Sequence, residues 1–292
     1  MCGIIGYVGD EERTLEVLIE GLKRLEYRGY DSSGVALLEN GRARVIKSEG
    51  KLINLIRKID GSFFKSSTGI GHTRWATHGS PSERNAHPHT SGSTVIVHNG
   101  IIENYLELKE DLEKRGYRFS SDTDTEVIAH LIEDFSRDGL SLEEAVRSAF
   151  RLVEGSYAVV VISEREPGKI IGVRRFSPLI LGVGEGENFI ASDIPAILSY
   201  TKKVVLLEDG DIAIADRDGF RITDLDGNLV KREINTINWD PIAIEKSGYK
   251  HFMLKEIHEQ PRAVLNTIRG RVSEETGEVS FEGLEEFAEG IG

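Results

Sequence analysis

Short apolar segments separated by Gly, Asp and Pro fill the chain beyond Glu154, and they constrain the fold more than any other feature. The segments are Tyr157–Ile162, Ile170–Val173, Leu179–Val183, Phe189–Ser192, Val204–Leu207, Ile212–Ala215 and Phe220–Thr223. Strands that follow one another through short turns pair antiparallel, whereas parallel strands need long crossovers, usually helices. One short helix, near Ile194–Tyr200, interrupts this run. We therefore predict antiparallel sheets covered by helices, an α+β fold.

The first half of the chain contributes further strands and a helix. Gly3–Val8 is short and apolar, which predicts a buried strand. Asn40-Gly41 lies between the segments Gly34–Leu38 and Ala43–Lys47 and predicts a hairpin, because both turn residues tolerate positive φ. Leucines and isoleucines recur at helical spacing over Leu15–Leu25, which predicts an amphipathic helix.

A long irregular stretch separates these elements from the remaining helices. Periodicity is lost from Arg74 to Ser93, between a strand ending near His72 and a strand over Thr94–His98 that leads into Asn99-Gly100. Loops of this length inside compact domains are usually functional or disordered. The predicted helices around and beyond it are Lys51–Ile59, Glu103–Lys114, Thr125–Asp138 and one that begins with the capping box of Ser141 and Glu144 and ends near Val153.

Charge and cysteine content exclude several classes of partner. A net charge of −13 disfavours nucleic acid and anionic membrane surfaces, so we expect neither as a partner. The sequence has no apolar run long enough to span a bilayer and no signal-peptide pattern. A single cysteine rules out an internal disulfide and suits a reducing compartment, so we expect a cytoplasmic protein.

That single cysteine, Cys2, has two interpretations. A free cysteine is most often a small buried hydrophobic residue, here at the start of a strand. Alternatively, removal of Met1 places a thiol and a free α-amine on one residue. An α-amine titrates near pH 7.7–8.0 and a thiol near about 8.5, so the amine can accept the thiol proton and return it to a leaving group. Position alone favours the first interpretation.

Further motifs occur in order along the chain. They are Cys2-Gly3-Ile4-Ile5-Gly6, Glu26-Tyr27-Arg28-Gly29-Tyr30-Asp31-Ser32, His72-Thr73-Arg74-Trp75-Ala76-Thr77-His78-Gly79, Asn85-Ala86-His87-Pro88, His98-Asn99-Gly100-Ile101-Ile102-Glu103-Asn104 and Thr123-Asp124-Thr125-Glu126. Together they resemble the class II glutamine amidotransferases, whose catalytic domains are N-terminal-nucleophile hydrolases. The match is greatest to the branch that transfers ammonia to fructose 6-phosphate.

The resemblance implies roles for the residues that match the motifs. Cys2 would attack the side-chain amide of glutamine. Asn99, through its side chain, and Gly100, through its backbone N–H, would bind the oxyanion of the tetrahedral intermediate. Arg74 would bind the α-carboxylate of glutamine and Asp124 its α-ammonium group. Taken singly, each has a simpler interpretation: a surface ion pair for Arg74 or Asp124, and an ordinary turn for Asn99-Gly100.

Four other residues receive weaker assignments. Thr77 and His78 resemble further contacts to the amino-acid end of the substrate. Trp75 resembles a residue on a loop that closes over glutamine, and an interface or core aromatic is its alternative. Arg28 resembles a residue that organises the terminus carrying the nucleophile.

The resemblance also implies the architecture and partners. A four-layer αββα sandwich of two antiparallel sheets covered by helices is expected over residues 2–240. Residues 241–250 would form a linker and residues 251–292 the start of a truncated sugar-phosphate isomerase domain. The substrate would be L-glutamine, with no cofactor or metal. Fructose 6-phosphate and homodimer formation belong to the full-length enzyme, so we expect glutaminase activity without synthase activity from this chain.

Two other functions are alternatives to these assignments. The domain could come from another class II enzyme, of the phosphoribosyl-pyrophosphate or asparagine branch, although the Glu26–Asp31 block and the stretch over residues 251–261 argue against it. It could also be a non-catalytic glutamine sensor.

His87, His89 and His98 suggest a metal site, but the chain lacks HExxH-like or CxxC spacing. The glycine-rich residues 182–186 indicate a hairpin loop.

Overall fold

The computed structural model describes residues 2–9, 13–61, 64–238, 249 and 252–268. The chain divides into two compact units, Met1–Asn238 and Trp239–Gly292. The first unit contains all the strands of the described residues. The predicted linker lies outside the described residues except for Tyr249, and of the predicted isomerase segment only the helix α6, Phe252–Ile268, is described.

The strands of the first unit form two antiparallel sheets. In chain order they are β1 Gly3–Gly9, β2 Ser32–Glu39, β3 Arg42–Glu49, β4 Thr68–Arg74, β5 His89–Ser91, β6 Thr94–Ile102, β7 Gly155–Ser163, β8 Ile170–Arg175, β9 Ile180–Val183, β10 Glu187–Ala191, β11 Lys203–Leu206, β12 Ile212–Ala215, β13 Phe220–Thr223 and β14 Ile234–Thr236. The larger sheet has the order β14-β11-β9-β10-β1-β4-β2-β3 and the smaller one β13-β12-β8-β7-β6-β5.

The helices cover the outer faces of both sheets. They are α1 Thr14–Leu25, α2 Leu52–Ile59, α3 Tyr105–Lys114, α4 Glu126–Arg137 and α5 Leu142–Phe150. One apolar core joins α1 and α2 to the larger sheet, a second fills the space between the sheets, and a third joins α4 and α5 to the smaller sheet. These cores separate four layers, so the predicted αββα sandwich is confirmed.

Several local predictions are also confirmed. Asn40 and Gly41 both have positive φ in the turn between β2 and β3. The side chain of Ser141 accepts the backbone N–H of Glu144, and the Glu144 carboxylate accepts the N–H of Ser141, which completes the capping box. The glycine-rich residues 182–186 connect β9 to β10 as a hairpin.

Other local predictions are wrong. The strand expected to end at His98 continues through Asn99-Gly100 to Ile102, because these residues pair with β7. The helix expected near Ile194–Tyr200 is only a short 3-10 turn, Ile194–Ala196. Helix α6 includes Pro261 within its range. None of the described helices combines the length and the apolar composition that crossing a bilayer requires.

Candidate functional site

The site forms where the start of β1 meets the end of β6 in the facing sheet. Cys2 immediately precedes β1, whose neighbours in the larger sheet are β4 and β10. Asn99 lies on β6 of the smaller sheet, and its Nδ2 donates to the carbonyl oxygen of Cys2 at 3.0 Å. The candidate nucleophile and the candidate oxyanion donor are therefore brought together by the packing of two sheets.

The thiol of Cys2 is partly buried and held by the backbone of the following loop. The N–H of Trp75 donates to Cys2 Sγ at 3.2 Å, and Sγ lies 3.4 Å from the Trp75 carbonyl oxygen. Burial raises the pKa of the Cys2 thiol, and the Trp75 N–H and the Arg74 charge oppose this shift only in part. At neutral pH the thiol therefore needs a base to become a nucleophile.

A small cavity, partly open to solvent, lies beside the thiol. It is lined by the predicted residues Cys2, Arg74, Trp75, Thr77, His78, Gly100 and Asp124, and also by His87, His98, Thr123 and Thr125. The structure thus brings together all the candidates from the sequence except Asn99, which contacts the Cys2 carbonyl, and Arg28.

Two buried charges of opposite sign line this cavity. Arg74 is buried, and among the described residues no carboxylate lies within 4.0 Å of its guanidinium. Asp124 is buried too, and within the described part of the chain it has no cationic partner at that distance. One Asp124 oxygen accepts the backbone N–H of Ile102 at 2.8 Å. Buried charges are costly unless they are paired, so this arrangement suits a ligand that carries both charges.

Arg74 also organises the loop that follows it. Its guanidinium donates to the carbonyl oxygens of His78, Gly79 and Ser80. These bonds fold the chain back over the arginine, and burial lowers the pKa of its guanidinium. The carbonyls satisfy several guanidinium donors without neutralising the charge. Arg74 therefore shapes the pocket and also supplies a positive charge within it.

The Trp75 loop is fixed on its other side by the Gly29–Asp31 segment. Asp31 Oδ2 accepts the N–H of Ala76 at 2.8 Å, and the Asp31 N–H donates to the Arg74 carbonyl oxygen at 3.0 Å. A Cβ at Gly29 would lie 2.6 Å from the carbonyl carbon of Arg74, so only glycine permits this approach. The Trp75 ring is 45% exposed and meets Tyr30 edge-on. An exposed tryptophan over the cavity is consistent with the predicted covering loop.

The geometry at Gly100 explains why this position of β6 requires glycine. Its φ is +133°, and a Cβ there would lie 1.9 Å from the carbonyl oxygen of Ser156. Asn99-Gly100 is thus neither a turn nor the end of a strand, but a distorted point inside a long strand next to Cys2. Gly100 is also one of the residues that line the cavity.

Arg28 lies outside the residues that line the cavity. Its guanidinium donates to the carbonyl oxygen of Ser192 and forms an ion pair with Asp193, both at 3.2 Å. Ser192 in turn accepts the N–H of Ile4 through its hydroxyl at 3.0 Å. Arg28 therefore reaches the segment carrying Cys2 through one intermediate residue, and its role in organising the terminus stays a prediction.

Four residues at the site received no role from the sequence: His72, Asp31, Thr123 and Thr125. His72 and Thr125 contact other site residues directly, since His72 Nε2 lies 3.0 Å from Asn99 Oδ1 and Thr125 Oγ1 lies 2.9 Å from His98 Nδ1. All four residues lie within the quoted motifs. The motifs indicated the region of the site, and the contacts identify which side chains meet there.

The sequence matches a family model described as a glutamine amidotransferase domain over residues 72–199. It is 54% identical over 277 residues to the glutamine–fructose-6-phosphate aminotransferase [isomerizing] of Aquifex aeolicus, covering 94% of this chain and 46% of that protein. A protein of the same name from Thermus thermophilus is 53% identical over 283 residues, with 96% and 46% covered. The chain spans about half the length of the curated relatives it matches.

Solved structures agree on the fold. Glutamine phosphoribosylpyrophosphate amidotransferase from B. subtilis, complexed with ADP and GMP, superposes with a TM-score of 0.67 at 27% identity, covering 78% of this chain and 50% of that one. A glutamine aminotransferase class-II domain protein from Silicibacter pomeroyi gives a TM-score of 0.51 at 14% identity, covering 76% and 99%. The second likeness concerns the fold alone.

Proposed function

The chain carries a glutamine amidotransferase domain, homologous to half of the glutamine–fructose-6-phosphate aminotransferases, and from this premise we propose that Cys2 hydrolyses L-glutamine to glutamate and ammonia. One observation carries the proposal. Arg74 and Asp124, buried with opposite charges and unpaired among the described residues, line the same cavity as the single thiol. The α-carboxylate and α-ammonium groups of an amino acid would neutralise both charges. The amide at the other end of glutamine would then face Cys2.

The proposed reaction needs Cys2 to have a free α-amine. Cleavage of the bond to Met1 supplies it, and the amine takes the thiol proton as Sγ attacks the amide carbon of glutamine. The carbonyl oxygen of the substrate becomes an oxyanion, to which the Asn99 amide and the Gly100 N–H donate. The amine gives the proton to the leaving nitrogen, and the tetrahedral intermediate collapses by breaking its C–N bond, which releases ammonia and leaves a thioester on Cys2. Water then hydrolyses the thioester and releases glutamate and the thiol.

The assay of this proposal compares the processed protein with Cys2→Ala. We expect the processed protein to release ammonia from glutamine, and Cys2→Ala to lose roughly 10⁴-fold or more in kcat. Binding of glutamate, measured by calorimetry, serves as the control, because Arg74 and Asp124 remain in place. A Cys2→Ala protein that still releases ammonia would rule out the proposed nucleophile.

The remaining site residues extend the proposal. We assign Trp75 to a loop that covers bound glutamine, since its ring lies exposed at the cavity and its backbone contacts the thiol. Thr77 and His78 line the cavity with Arg74 and would contact the amino-acid end of the substrate. Arg28 would organise the terminus through Ser192.

We further propose that a full-length protein containing this chain passes the ammonia to fructose 6-phosphate to make glucosamine 6-phosphate. Support comes from the names of relatives at 53–54% identity, against 27% for the phosphoribosylpyrophosphate enzyme. This chain should show glutaminase activity alone, and formation of glucosamine 6-phosphate by it would contradict that division. A cytoplasmic location, supported by the single cysteine, and a homodimer of the full-length protein belong to the same proposal. Stimulation of glutaminase activity by fructose 6-phosphate would distinguish the full-length protein from other class II enzymes.

A further inference from the structure

The side-chain amide of Asn99 is held between His72 of the opposite sheet and Cys2, the residue just before that sheet's strand β1. Asn99 belongs to β6 of the smaller sheet, whereas His72 lies on β4 and Cys2 precedes β1 in the larger one. Asn99 Oδ1 is 3.0 Å from His72 Nε2, and Asn99 Nδ2 is 3.0 Å from the Cys2 carbonyl oxygen. The amide therefore bridges the two sheets at the point where the thiol lies.

The partners of His72 determine which way that amide faces. His72 Nε2 is also 3.0 Å from the carbonyl oxygen of His98, which can only accept a hydrogen bond. The proton of the neutral ring must therefore be on Nε2, which then donates to both the His98 carbonyl and Asn99 Oδ1. A rotated amide would place Nδ2 against this N–H and Oδ1 against the Cys2 carbonyl, so both contacts would be repulsive.

The surroundings of His72 keep the ring neutral and in place. The side chain is fully buried, and burial lowers the pKa of His72 to about 3. The ring of His87 packs on it with a centroid distance of 4.1 Å. Within the described residues His72 Nδ1 has no hydrogen-bond partner, so the contacts through Nε2 are the ones that orient it.

We propose that His72 is a positioning residue that orients the Asn99 amide toward the tetrahedral intermediate. An amide nitrogen carries two N–H donors. One Nδ2 hydrogen is used by the Cys2 carbonyl, and the fixed orientation leaves the second for the oxyanion. This inference rests on the proposed function, and it assigns a positioning role to His72, which does not contact the substrate.

The test compares His72→Met, which removes the donor, with His72→Gln, whose amide nitrogen restores one. Removing an oxyanion donor costs about 10²–10³ in kcat, so misorienting it should lower the kcat of His72→Met by roughly 10- to 100-fold. In His72→Met, the KM for glutamine, the Ki of glutamate and the rate of Cys2 alkylation by iodoacetamide should each change by less than about threefold from the wild-type values. His72→Gln should recover most of the kcat. His130→Met is the matched control, since His130 is buried but contacts Ser91 and Glu126.

A double-mutant cycle distinguishes positioning from a structural role. If His72 acts through Asn99, His72→Met should reduce kcat no further in an Asn99→Ala background. Equal losses in both backgrounds would overturn the proposal, and so would a His72→Met protein with unchanged kcat. Should methionine prevent folding, a tenfold loss of kcat in a folded His72→Gln protein would overturn it as well. Failure of the proposed function is distinguishable, because the wild-type protein itself would then release no ammonia.

Discussion

The backbone N–H of Trp75 donates to the Sγ atom of Cys2 at 3.2 Å. This bond ties the thiol to the first residue of the loop that Arg74 folds back over the cavity. One N–H bond favours the thiolate, but burial has the larger effect and raises the pKa of the thiol. Cys2 is therefore positioned by its loop but not ionised by it, and the base must come from elsewhere.

We predict that an N-terminal extension abolishes activity until it is removed. In a fusion whose protease site ends just before Cys2, the α-amine is part of an amide and cannot accept a proton. Ammonia release should be at least about 10²-fold lower before cleavage and should rise in proportion to the processed fraction measured by intact mass. A fusion that carries the same site but Cys2→Ala is the control. Full activity in the uncut protein would refute the role of the amine.

Asp124→Asn should weaken glutamine binding far more than it slows chemistry. The substitution keeps an oxygen for the Ile102 N–H but removes the charge that we propose to face the α-ammonium group. Charge-assisted hydrogen bonds contribute about 1.5–3 kcal/mol, so KM should rise roughly 10- to 100-fold with a smaller change in kcat. Asp122→Asn is the matched control on the same loop, because Asp122 faces Arg84 and Asn85. Equal effects of the two substitutions would remove the basis for the assignment.

The antiparallel architecture could be predicted because its signals are local. Asn40-Gly41 specifies its turn by residue type alone, and the strands beyond Glu154 are joined by short connections that permit few pairings. The capping box of Ser141 and Glu144 likewise lies within four residues. Each of these features depends on neighbours in the sequence, and each is present in the structure.

The features that the sequence could not reveal depend on distant partners. Asn99-Gly100 has the composition of a turn, but pairing with β7, more than fifty residues away in sequence, keeps it inside a strand. The contact between His72 and Asn99 crosses from one sheet to the other. No periodicity within either segment encodes that contact, since it arises only when the sheets pack.

Stability should fall as the pH is lowered below about 6.5. Burial lowers the pKa of His72, His87, His89 and His98, so the folded state stays neutral where the unfolded chain binds protons. Their stabilising contribution is complete above the unfolded pKa of about 6.5 and is lost as the pH falls toward the folded values. Each histidine adds a slope of up to about 1.4 kcal/mol per pH unit.

Urea unfolding between pH 7.5 and 5 would measure this slope, in a range where ordinary carboxylates hardly titrate. We expect the free energy of unfolding to decrease steadily below pH 6.5, with proton uptake by more than one group on unfolding. His89→Gln, which removes one of the four imidazoles whose pKa burial lowers, should reduce the slope. A free energy of unfolding that stays constant from pH 7.5 to 5 would contradict the prediction.

Gly100→Ala should destabilise the protein much more than Gly41→Ala. Both glycines have positive φ, +133° and +73°, so alanine is strained at either position. A Cβ at Gly41 meets nothing within 4 Å, whereas one at Gly100 would lie 1.9 Å from the Ser156 carbonyl oxygen on the paired strand. The strain alone should cost about 1 kcal/mol at Gly41, and the strain with the clash roughly 3 kcal/mol at Gly100. Urea midpoints measure both, and equal losses would show that the distortion of β6 beside Cys2 does not need glycine.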